Sequence, residues 1–123
     1  MRSALVVLLV IACRNEPADR DASFHVRRDA RIAELEAEHA AIAAEPRIIA
    51  VFAEVMPLTE AGRAELDGRL HVVQVRLDET ANLIEALRHT EADLWKPREA
   101  RVSAAMHHLD DARGSAWQAL ATP

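Results

Sequence analysis

Between Thr59 and Leu87, Leu66, Leu70, Val73, Leu77, Thr80, Ile84 and Leu87 recur at alternating spacings of four and three over three heptads, with Thr80 the single polar member. On a strand these positions would divide between two faces. On a helix they line up as one seam, and such a seam is stable only against another helix laid along it. The stretch from about Arg98 to Leu120 supplies the partner: Val102, Ala105, Leu109, Ala112, Ala116 and Ala119 keep the same rhythm. Their small side chains let two backbones approach closely, so the two seams are expected to form a long antiparallel hairpin. Thr90-Glu91-Ala92-Asp93 reads as a capping box, and Pro97 follows. The turn is therefore expected between His89 and Pro97, covered by Leu94 and Trp95.

Two further segments must cover the rest of this hairpin. Ile32, Leu35, His39 and Ile42 mark an amphipathic helix from about Phe24 to Ala44, where neither Gly nor Pro occurs. After Pro46, a dense run of Ile48, Ile49, Val51, Phe52, Val55 and Met56 suits a strand by periodicity alone, but an isolated strand would leave its ladder groups unpaired, so a short buried helix ending before Pro57 is expected. Thr59 then serves as N-cap of the long helix, with Glu60 favourably placed in its first turn. Val72 and Val75 lie off the main seam, so the first helix and the 48–56 segment are expected to shield them. Alanine is the commonest residue, there are 3 glycines and no tyrosine, and the 123 residues leave room for one small domain. The expected fold is all-α: an elongated three- to four-helix bundle built on the long antiparallel hairpin, over residues 24–123. Gly114, inside the last helix, costs about 1 kcal/mol of helix propensity.

The N-terminus reads as an address. Met1 and Arg2 give a short positive end, and Ala4 to Ala12 are uninterrupted apolar or small residues. At ~1.5 Å per residue that run covers less than half of a bilayer core of about 30 Å, so it suits a cleaved secretory signal better than a spanning helix. Val10-Ile11-Ala12-Cys13 resembles the bacterial lipobox: an aliphatic residue, a tolerant position, a small residue, then cysteine. The resemblance implies cleavage after residue 12, a diacylglyceryl group on the Cys13 thiol and further acylation, with chains such as palmitate, on the amine so exposed. Several chains at ~0.8 kcal/mol per buried methylene anchor a protein stably. Residues 1–12 are then the signal peptide, and 13–23, polar after the cysteine and with one proline, the lipidated cysteine and a flexible tether. By the sorting habit of the enteric lipoproteins that the leader resembles, Arg14 rather than aspartate after Cys13 implies the outer membrane, facing the periplasm. With its single cysteine acylated, the chain has no disulfide framework and depends on helix packing.

A net charge of -5 opposes nucleic-acid binding, which needs a basic face. Ser23, Ser103 and Ser115 stand in no nucleophile motif, Gly62, Gly68 and Gly114 form no phosphate cradle, and the carboxylates fall at the spacings of solvated helix faces, so no catalysis is expected. The histidines raise a transition-metal site as an alternative, with His89, Met106, His107 and His108 as ligands beside Glu85. If Leu87 and Leu109 occupy the seam, however, His89 and His107 point outward. His39 falls inside an apolar seam and is expected to be a core histidine whose ring nitrogens find local partners.

Pro57-Leu58-Thr59-Glu60-Ala61-Gly62-Arg63-Ala64-Glu65-Leu66 resembles the Leu-Thr-x-x-Gln opening of periplasmic stress chaperones and heavy-metal-resistance sensors, with Gly62 where that family has glutamine. In that family a short helix precedes the motif and a long one follows, as with Ile48 to Leu87 here. This resemblance implies metal or stress sensing, or chaperone activity. The leading expectation is a lipid-anchored cell-envelope protein acting as a helical binding or scaffold module. Its partners would be the membrane, through the acyl chains, and an envelope protein or a second copy, with no cofactor.

Overall fold

The computed structural model describes the backbone of residues 2–122 and the side chains of residues 20–122. Four helical pieces follow one another: α1 (Arg2–Ala43), α2 (Glu45–Val55), α3 (Glu60–Leu87) and α4 (Ala92–Ala121), with no strand among the described residues. The run expected as a buried helix is thus helical as far as Val55. Of the stretch expected to be a tether, residues 20–23 are helical and exposed rather than irregular. Cys13 and its lipobox-like surroundings lie outside the residues whose side chains are described.

Local chemistry sets the boundaries. Ala44 keeps a helical conformation (φ -76, ψ -23), and Pro46 stands in the first turn of α2, where a missing N–H removes no helical hydrogen bond. Pro46 therefore interrupts the first helix without reversing the chain. Pro57 does more, because its ring excludes the α conformation from the residue before it, and Met56 is extended at φ -85, ψ 142. Thr59 caps α3 as expected: its Oγ1 accepts from the Gly62 N–H at 3.0 Å.

The second turn differs from its expectation. α4 begins at Ala92 with Glu91 as its N-cap residue, so the turn is shorter than expected and Pro97 lies inside the helix. Only five helical residues precede that proline, and the N–H it lacks would have met the carbonyl of Asp93, in the first turn. Thr90 caps nothing in α4. Its hydroxyl instead donates back to the Ala86 carbonyl at 2.9 Å, and Thr90 is fully buried. Trp95 is half-buried, edge-on to Phe24 at 5.9 Å, whereas Leu94 points outward.

Cross-helix pairs give the directions. Partners between α1 and α3 have a nearly constant sum of residue numbers, as in Arg28–Thr90 and His39–Leu77, so these helices are antiparallel. Partners with α4 have a constant difference instead, as in Arg31–Glu99 and Glu45–Arg113, so α1 and α2 run with α4. The result is an up-down-up bundle of three helices, the first interrupted at Pro46. Leu66, Val73, Leu77, Thr80, Ile84 and Leu87 of α3 are buried against Val102, Met106, Leu109, Ala116, Ala119 and Leu120 of α4. Ile32 and Leu35 of α1 and Ile49 and Ala53 of α2 complete the core. The helices of the hairpin approach closely enough at the alanine end for Arg69 to donate to the Ser115 carbonyl at 2.9 Å.

Candidate functional site

Once the core is assembled, α2 has apolar side chains to spare. Only Ile49 and Ala53, four apart, face inward. The expectation of a buried segment therefore fails for most of it: Ile48 is 45%, Val51 59%, Phe52 48% and Val55 78% exposed, and Met56, past the helix end, is exposed too. The reason is geometric. A helix of this length offers only a narrow strip to a groove between two other helices, and residues at 48, 51, 52 and 55 occupy the i, i+3, i+4, i+7 positions of a different strip. Phe52 leans toward Trp117 of α4, with ring centroids 6.2 Å apart, and so joins the stripe to the bundle. Arg63 donates to the Ala53 carbonyl at 3.3 Å, satisfying an acceptor at the end of α2. Val72 and Val75 of α3, which were expected to be shielded, are exposed as well.

Beside α2 lies a groove of about 530 Å³ between α1 and α4. Leu35, Ile42 and Met106 are its apolar lining, with Glu38, Ser103 and His107 on the walls. Arg31 and Arg113 stand near opposite ends, and each is clamped twice. Arg31 reaches Glu34 on its own helix at 2.9 Å and Glu99 of α4 at 3.1 Å. Arg113 reaches Asp110 at 2.5 Å and Glu45 of α2 at 3.3 Å. Both guanidiniums are held above their ordinary pKa, Arg31 chiefly by its hydrogen bond to Glu34 and Arg113 by that to Asp110, against a smaller opposing effect of burial. A third clamp joins Arg88 to Glu85 and Glu36. Because these cations are already engaged, the groove offers an incoming anion little unspent positive charge.

The residues considered as metal ligands are not gathered into one place. Met106 is buried in the core and borders the groove, with His107 on its wall. His108 is exposed on the next position of α4, and His89 is exposed in the turn. About 22 Å of helix separates the start of α4 from His107. Among the described residues, no group of three His, Cys, Asp or Glu side chains converges to hold a metal ion. His39 is half-buried, and its Nε2–H donates to the Leu77 carbonyl at 2.8 Å, a local partner of the kind expected for a core histidine.

Sequence reading missed the Arg31, Arg88 and Arg113 clamps. The only available signal was the repetition of an arginine with a carboxylate three positions away, which any solvated helix also shows. No helix of the described residues is long and apolar enough to cross a membrane. No protein-family model, curated protein or solved structure matches this chain.

Proposed function

We propose that the chain is a lipid-anchored protein of the bacterial cell envelope, held in the outer membrane facing the periplasm, whose helical bundle binds another protein rather than catalysing a reaction. The observation that carries the binding half is the apolar stripe on α2. Bulky aliphatic side chains left in water over two helical turns, beside a well-filled core, are the usual mark of a surface that is covered in use. The anchor half rests on Val10-Ile11-Ala12-Cys13 after the apolar leader.

Each half has its own test. Cys13→Ser should shift the chain from the membrane to the soluble fraction, or leave an uncleaved precursor, and unchanged fractionation and processing would remove the anchor. A Val51→Asp, Val55→Asp double variant should keep its helix content by circular dichroism but lose in-cell cross-links formed by the parent chain. Cross-links that persist unchanged would remove the stripe as the binding surface.

A further inference from the structure

The geometry points to a second copy of this chain as the occupant of the α2 stripe, paired with it antiparallel about a two-fold axis. This deepens the binding half of the proposed function and does not depend on the acylated cysteine. The argument lies in the charges beside the stripe. At 100° per residue, Val51, Val55 and Ile48 form its centre, Phe52 one flank, and Arg47 and Glu54 the other, with Met56 just past the helix end. Arg47 and Glu54 are seven residues apart, about 10.5 Å along the axis, which is too far to pair with each other as i,i+4 neighbours do. Both are exposed, and neither makes an ion pair or side-chain hydrogen bond among the described residues, in contrast to the clamped Arg31, Arg88 and Arg113.

When two identical helices pack antiparallel, each flank meets the same flank of its partner with the order reversed. If residue i then faces residue j, residue j also faces residue i. With Val51 near the axis, Arg47 meets Glu54 of the second copy and Glu54 meets its Arg47, so the one flank yields two ion pairs. In that register Ile48 lies within about 3 Å of level with Val55 of the second copy, within reach of it across the seam. The other flank adds no charge conflict, since Phe52 leads to Trp117, and Glu45 is already paired with Arg113. A parallel pairing would instead set the charged flank against the apolar one. The pattern of charges around an apolar helical seam sets the orientation of the partner, and here it is self-complementary in one orientation. Two turns of helix make a small interface, so the pairing is weak and reversible, in the micromolar range.

Sedimentation equilibrium of the full chain in density-matched detergent should show a reversible dimer. Arg47→Glu and Glu54→Arg should each weaken it about tenfold, because one substitution alters both symmetry-related pairs. The combined Arg47→Glu, Glu54→Arg variant should recover the parent's affinity, and Val55→Asp should abolish pairing. All these positions are exposed, so helix content should be unchanged. A chain that stays monomeric at high micromolar concentration overturns the inference, as does a dimer indifferent to the single reversals or not restored by the double swap. A monomer whose in-cell cross-links to a different protein disappear with Val51→Asp, Val55→Asp would overturn self-pairing while leaving the stripe a binding surface.

Discussion

Thr90 shows how one side chain can hold a turn. It ends α3 by bonding its hydroxyl to Ala86, receives Arg98 at that same oxygen at 3.2 Å, and offers its carbonyl to Arg28 of α1 at 3.5 Å. Three helices therefore meet at a residue with no exposed surface. Thr90→Val keeps the volume but removes the hydroxyl, and should cost about 1–2 kcal/mol in urea unfolding, more than a lone exposed hydrogen bond would. His39→Ala should cost about 1 kcal/mol by the same measurement, for the lost bond to the Leu77 carbonyl and the packing around it. At the other histidines the expected result is silence. Calorimetric titration of the chain with zinc, copper or nickel should show no micromolar binding, and His107→Ala should change nothing. Binding that His107→Ala abolished would reinstate the metal-sensing alternative.

Among the elements, α3 was the most legible and α2 the least. Six of the seven seam residues of α3 are buried and Leu70 is half-buried, because a heptad repeat over this length admits one way to hide its apolar side chains. The α2 run had no such redundancy. Its apolar residues cover more than half of the helix circumference, so periodicity alone suited a strand as well as a helix and could not say which strip faced inward. The start of α4 escaped for another reason. Pro97 suggested a later beginning, yet a proline this close to an N-terminus interrupts little, and Thr90, the expected cap, was committed to the preceding helix. The glycines within helices offer a check on how closely the hairpin packs. A Cβ added at Gly114 or Gly68 would meet nothing within 4 Å. Gly114→Ala should accordingly stabilise the bundle by about 0.5–1 kcal/mol, seen as a raised thermal midpoint. Destabilisation would show that α3 and α4 lie closer than described.

For the whole molecule, the hairpin and the first helix are joined in different ways. α3 and α4 share a continuous apolar seam, while α1 and α2 add a few buried side chains and the Arg31, Arg88 and Arg113 clamps at their edges. Half-exposed ion pairs of this sort contribute about 1 kcal/mol each and are partly screened by salt. Hydrogen exchange should therefore find α1 opening before α3, with the gap widening at high ionic strength. Equal protection in both helices would count against this order. The fold class was open to sequence reasoning because its signals repeat along the chain. The clamps were not, since each depends on two residues that only the packed bundle brings together.

The direction of α2 has one further consequence. It continues the course of α1 past Pro46 and lies at the end of the bundle away from the Thr90 turn, beside which Phe24 enters. A two-fold that sets the α2 helices head to tail must do the same to the bundles, so their leading segments would depart from opposite poles. If copies are moored to one sheet of lipid, as proposed, such a pair would have to lie along that sheet rather than stand away from it.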